Sequence, residues 1–181
     1  MITDLSKYNN SWYKPGSAVK RVAWHYVNGF FFRSGLFPFY GIKIFLLRLF
    51  GAKIGKGVLV KPGVNIKYPW FLLVGDHTWI GEQVWIDNLA PVTIGCNVCI
   101  SQGAYLLTGN HDYKKAAFDL IIKPITLEDG VWIGAKATVC PGVTCKKQAV
   151  LSVGSVLAAD MEPYGIYRGN PAVKVAEREL S

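Results

Sequence analysis

No stretch of the 181 residues holds the roughly 18 uninterrupted apolar positions that a membrane-spanning helix needs. The most apolar windows, 22–32 and 36–50, are short, and Pro38, Lys43 and Arg48 break the second. The opening residues, 1–16, are polar rather than basic and then apolar, so no export signal is read and a cytoplasmic protein is expected. Cysteine occurs four times, at Cys96, Cys99, Cys140 and Cys145, and in that compartment the thiols are expected to be reduced. The Cys96/Cys99 spacing has no second pair to complete a four-ligand zinc site, so no metal is expected. A glycine-rich phosphate loop is missing, which argues against ATP and NAD. The 19 glycines keep no triplet period, which excludes a collagen-like chain. Nothing in the chain resembles a nucleic-acid-binding motif, and no nucleic acid partner is expected.

Acidic residues are scarce in one place only. Up to residue 57 there are nine Lys or Arg and a single acid, Asp4, whereas from residue 58 onward eleven bases meet eleven acids. The formal net charge of +8 therefore resides in a leader that is also rich in aromatics, among them Trp12, Trp24 and the Phe30 to Phe32 run. Two roles fit such a segment. It can pack as one or two short helices over the end of the following domain, as a cap must, or it can bind peripherally to an anionic membrane at the inner face.

What the middle of the chain has is a period. An aliphatic residue recurs every six positions in five groups of three: Ile54, Val60, Ile66; Val74, Ile80, Ile86; Ile94, Ile100, Leu106; Leu127, Ile133, Val139; and Cys145, Leu151, Leu157. Fourteen of these fifteen positions are Ile, Leu or Val, although those types make up only 48 of the 181 residues. Four residues after each position, twelve of fifteen are Val, Ala, Ser or Thr, the exceptions being Trp70, Asn110 and Met161. Period six is neither the 3.6 of a helix nor simple alternation. It describes a triangular coil whose six-residue sides each point one aliphatic residue inward, with a small residue near each corner. Coils stacked at about 4.8 Å would place Ile133 below Leu151 and Val139 below Leu157.

The period is interrupted three times. Two-residue expansions separate Ile66 from Val74 and Ile86 from Ile94, and a much longer one lies between Leu106 and Leu127. The long one must leave the prism as an extruded loop, 108–124, and such loops tend to carry function. These boundaries divide the chain into a helical leader (1–51), a mainly β hexapeptide-repeat region (52–162) and a C-terminal extension (163–181).

The period, the Gly109-Asn110-His111-Asp112-Tyr113 loop, the Gly130-Val131-Trp132-Ile133-Gly134-Ala135 segment, the Pro141-Gly142-Val143 turn and the closing Gly169-Asn170-Pro171-Ala172 together resemble the hexapeptide-repeat acyltransferases. The likeness is strongest to the colanic-acid type of exopolysaccharide O-acetyltransferases. It implies a left-handed parallel β-helix of about five coils, assembled as a homotrimer with acetyl-CoA sites between neighbouring subunits. It also implies transfer to a hydroxyl of a sugar or lipid-linked sugar. In that family His111 is the general base, a role imidazole suits because its ordinary pKa leaves a neutral nitrogen at physiological pH. Asp87 and Asn88 fall near the acceptor, or are corner residues; Asp112 falls beside His111, where it could meet the acceptor or orient the imidazole. Trp85 and Tyr105 offer an aromatic face to a sugar or to a subunit interface. Trp132, Ala135 and Val153 correspond to donor contacts, and Asn170, Lys174 and Arg178 to the far end of coenzyme A. The segment Leu157-Ala158-Ala159-Asp160 departs from the family by lacking a phosphate-facing lysine. A carbonic anhydrase of the same fold would need a second loop histidine where Ala116 stands. A catalytically silent β-helix, serving as a scaffold in polysaccharide assembly, is the alternative to the enzyme.

Overall fold

A computed structural model describes residues 2–180. The period-six segments form short strands that stack into three parallel sheets, one per side of a triangular solenoid. The first face carries Lys53–Ile54, Leu72–Val74, Val92–Ile94, Ile125–Leu127 and Thr144–Cys145. The second carries Leu59–Val60, Trp79–Ile80, Cys99–Ile100, Trp132–Ile133, Val150–Leu151 and Gly165–Gly169. The third carries Asn65–Ile66, Trp85–Asp87, Tyr105–Leu107, Thr138–Val139 and Val156–Leu157. Ile133 pairs with Leu151 and Val139 with Leu157, the register that the period requires.

Fourteen of the fifteen period positions are buried and the other, Ile54, is half-buried. Each such aliphatic side chain contributes roughly 1.5–3 kcal/mol by leaving water, and neighbouring coils bury one another's faces. Corners turn through left-handed backbone. In the column joining first to second face, Gly57, His77, Asn97, Gly130 and Gln148 all have φ between 55° and 71°. His77 is thus a turn residue. Five coils are complete; Met161 bridges to Cys145 and Gly165–Gly169 pairs with Val150–Leu151, so the segment expected as an extension begins a sixth. Ala172–Glu177 then folds back antiparallel and ends the second face.

The leader forms helix α1 (Ala18–Val27), a π-helical continuation (Asn28–Arg33) and helix α2 (Tyr40–Leu49). These cover the open end of the first coil, where the rung has carbonyls with no further coil to receive them. One donor serves each side. Arg48 donates to Ile54 O at 2.8 Å on the first face, and Lys43 Nζ to Lys61 O at 3.2 Å and Val60 O at 3.4 Å at the end of the second. On the third, Trp24 Nε1 donates to Ile66 O at 2.7 Å, while Asn28 bonds Asn65 through its amide nitrogen and accepts from Ile66 N. Burial lowers the pKa of the Lys43 ammonium. Part of the leader's positive charge is therefore structural.

Candidate active site

All three interruptions of the period fall at one corner, between third and first faces, in consecutive coils. The first forms the turn Pro69–Phe71, the second runs through Leu89, and the third extrudes the antiparallel hairpin Gly109–His111/Leu120–Ile122. Stacked, they make one wall of a cavity of about 390 Å³ containing Tyr68, Leu89 and His111. The opposite wall comes from the leader, through Tyr8, Tyr13 and Arg21. Two bonds fasten the walls together: Tyr13 OH donates to Leu89 O at 2.6 Å, and Asp4 N to Ala116 O at 2.9 Å. Burial pushes the Tyr13 phenol up, so it stays a donor.

The hairpin has a fixed root. Buried Thr108 donates through Oγ1 to Asp87 O at 2.8 Å and accepts from Ala90 N at 3.1 Å. At Gly109 a Cβ would lie 2.4 Å from Leu89 Cδ1, so a side chain here would have to displace the end of Leu89 from the cavity wall. His111 follows, half-buried, its ring stacked on Phe118 at 4.4 Å and 10°. Its Nδ1 lies 2.9 Å from Phe118 O. A carbonyl only accepts, so Nδ1 carries the proton and Nε2 presents a lone pair. Phe118 holds φ at 53°, a left-handed conformation that costs a bulky residue roughly 1–2 kcal/mol. Strain of this kind tends to collect at functional sites.

Several residues read from the sequence as site groups have other work. Asn88 is fully buried, and its amide accepts from Tyr68 N at 2.9 Å and donates to Tyr68 O at 2.6 Å, clipping a corner together. Each polar atom of the amide thus has a backbone partner, and with no exposed surface Asn88 does not line the His111 cavity. Asp112 accepts from Lys114 N at 3.1 Å in a loop turn, and it is the Phe118 carbonyl that orients the imidazole. Asp87 is buried against Lys67 Nζ at 2.9 Å and Tyr105 OH at 3.4 Å, and lines a neighbouring cavity rather than that of His111. Tyr105 stacks on Trp85 at 4.7 Å, and burial with the adjacent Asp87 raises its phenol to about 12.

The residues expected on the donor side lie elsewhere. Trp132 stands on the second face, exposed, with Nε1 donating to Ser101 Oγ at 2.9 Å. Ala135 and Val153 occupy the corner between second and third faces, joined by Gly154 N donating to Ala135 O at 2.9 Å. Asn170 is exposed at the turn of the closing hairpin. Lys174 pairs with Glu177 at 2.5 Å, and Arg178 donates to Gly130 O at 2.9 Å and Gln148 O at 3.2 Å, so the guanidinium anchors the C-terminal strand. Within one chain, the cavity of His111 and this corner are separated by a side of the prism. Phe118, Thr108 and the leader tyrosines carried no motif; the interruption of the period pointed to the loop that holds Thr108 and Phe118, and nothing in the sequence pointed to Tyr8 or Tyr13.

No family model matches the chain. It is 39% identical over 178 residues, 98% of each chain, to the protein named "Putative colanic acid biosynthesis acetyltransferase WcaF" of Escherichia coli K12. It is 29% identical to the galactoside O-acetyltransferase of the same organism, over 73% of this chain and 66% of that one. Among solved structures, a hexapeptide-repeat acetyltransferase from Vibrio cholerae O1 biovar eltor, complexed with acetyl coenzyme A, superposes with a TM-score of 0.82 at 26% identity, covering 92% of this chain and 93% of that one. With repeat, corner loop and near full-length likeness in agreement, the chain belongs to the hexapeptide-repeat acetyltransferase family.

Proposed function

We propose that the protein is an acetyl-CoA-dependent O-acetyltransferase acting on a sugar hydroxyl in bacterial exopolysaccharide biosynthesis, with His111 as general base. The observation that carries this reading is the Nδ1–H bond to the Phe118 carbonyl, which leaves Nε2 free to accept a proton inside a cavity of sugar-accommodating size. Nε2 takes the hydroxyl proton as the acceptor oxygen bonds to the thioester carbonyl carbon. When the C–S bond breaks, the imidazolium returns that proton to the departing thiolate. Trp132, Ala135 and Val153 would hold the donor, as the likeness to an acetyl coenzyme A complex supports.

Because those residues sit at a different corner from His111, a complete site needs two chains, and we infer a homotrimer in which each His111 cavity faces a neighbour's donor corner. The leader adds a membrane-facing side. Val19, Val22 and Tyr26 on α1 and Ile42, Phe45 and Leu49 on α2 are exposed at helical spacing, on the sides turned away from the capping donors. An apolar face on a segment of strong positive charge suits an anionic bilayer at the cytoplasmic surface. Sedimentation with anionic but not neutral vesicles is expected, and to be lost in Phe45→Glu/Leu49→Glu; loss of the oligomer instead would make the face a subunit contact.

The central experiment is acetyl-CoA turnover with a panel of sugar acceptors, monitoring free thiol. Acceptor-dependent thiol release should fall roughly 10²- to 10⁴-fold in His111→Ala with folding intact. Turnover that survives would remove His111 as base. If the wild type binds no acetyl-CoA, the scaffold reading replaces the enzyme.

A further inference from the structure

The His111 cavity does not end at its own walls. A second cavity of about 290 Å³ adjoins it, and the two share Arg21, Lys67 and Tyr68. The second also contains Arg33, Trp85 and Asp87. Its charges do not balance. Among the described residues Asp87 is the one carboxylate in either cavity, and Lys67 already meets it at 2.9 Å. Arg21 and Arg33 have no carboxylate partner, and among the described residues neither guanidinium makes a hydrogen bond or an ion pair. Of the other arginines, Arg48 and Arg178 are each committed to two backbone carbonyls, and Arg168, exposed on the Gly165–Gly169 strand, lines neither cavity. Two uncommitted guanidiniums, one at the junction with the catalytic cavity and one farther along the trough, remain after every local partner is counted.

We propose that this trough binds a phosphate or pyrophosphate ester carried by the acceptor sugar, with Arg21 and Arg33 as its anion-recognising groups. The inference rests on the acetyl-transfer reading above and names the substrate class of that same site. Guanidinium presents its donors in a planar fork that matches phosphate oxygens in pairs, and two forks in sequence suit an anion longer than a single carboxylate. A sugar whose hydroxyl reaches His111 would leave its esterified end beside Arg21 in the shared wall, with the rest of the ester directed toward Arg33. The chemistry is common to nucleotide-activated and lipid-linked sugars, and the assay separates them.

The test compares kcat/KM for galactose, galactose 1-phosphate, UDP-galactose and a farnesyl pyrophosphoryl-galactose, in wild type, Arg21→Gln, Arg33→Gln and the double variant. Phosphorylated acceptors should exceed the free sugar, and each substitution should lower that ratio roughly ten- to hundredfold, chiefly through KM. A preference for the farnesyl form over UDP-galactose identifies a lipid carrier, and the reverse a nucleotide. Free galactose, or a uronic acid, used as well as the esters would overturn the proposal while leaving acetyl transfer standing. Should no acceptor turn over, the acetyl-transfer reading fails separately, and calorimetric binding of inorganic pyrophosphate still decides the trough. Binding should weaken between low and near-physiological salt and vanish in the double variant; no binding by the wild type refutes the site. Both arginines are exposed and unbonded, so the variants should melt with the wild type.

Discussion

Combining two inactive variants in one oligomer tests whether the site is shared between chains. His111→Ala removes the proposed base and leaves the proposed donor corner intact; Val153→Trp obstructs that corner and leaves His111. Val153 is 70% exposed, so a larger ring there extends into solvent and spares the fold. Gly134, by contrast, could not be used: a Cβ at that position would lie 2.6 Å from Val153 N of the adjoining coil. His111→Ala alone should retain no more than roughly a hundredth of wild-type turnover, the lower bound for losing a general base, and Val153→Trp alone should lose turnover together with acetyl-CoA binding. In a closed ring of three, however the two chains are ordered, a mixed trimer contains one interface that joins an intact His111 to an intact donor corner. Coexpression with two different affinity tags and sequential purification isolates the mixed trimers. Their thiol release should recover to about one third of the wild-type rate. Mixed oligomers no more active than either parent would refute the shared site, and with it the argument from the two separate corners.

Three further outcomes are expected. Trp24→Phe keeps most of the aromatic packing on Phe32 and Phe50 but leaves the Ile66 carbonyl without its donor; the cost of about 1–3 kcal/mol should lower the melting temperature by roughly 2–12 °C, and an unchanged melt would show that the cap bond contributes nothing. Phe118→Gly should be more stable than Phe118→Ala by about 1 kcal/mol, since both lose the ring against His111 but only glycine relaxes the left-handed backbone; equal denaturation midpoints would contradict this. Tyr105 is neutral in the fold up to about 12 against an ordinary 10.0, so above pH 10 the unfolded chain ionises first and stability falls with rising pH until the folded phenol ionises too. Tyr105→Phe should flatten that part of a stability–pH curve, and an unaltered slope would count against the shift.

The solenoid was legible because its code is compositional: fifteen inward positions accept aliphatic side chains, and the prism makes that choice visible at a fixed spacing. Ile133 over Leu151 follows from the period alone. The loop carrying His111 was legible for the converse reason, as the place where the period fails most. What stayed hidden depends on side chains bonding to carbonyls. A carbonyl is the same at every residue, so nothing in the sequence marks Ile66 as the partner of Trp24 or Gly130 as that of Arg178. Asn88 illustrates the trap. An amide beside an aspartate can serve a sugar or two backbone groups equally well, and only the placement of Tyr68 one coil below decides it. The leader's charge is divided for the same reason: Lys43 and Arg48 face carbonyls, which no spacing in the sequence marks.

The three donors beneath the first coil also bear on what the protein avoids becoming. Stripped of α1 and α2, the prism would end in open strand edges on all three sides, the surface that another β-solenoid or an extending cross-β filament uses as a template. At the other end Ala172–Glu177 pairs antiparallel along the edge of the second face. Shortening the leader would therefore do more than loosen one wall of the His111 cavity. It would expose a self-complementary end, and the characteristic failure of such a truncation would be growth into fibres rather than simple unfolding.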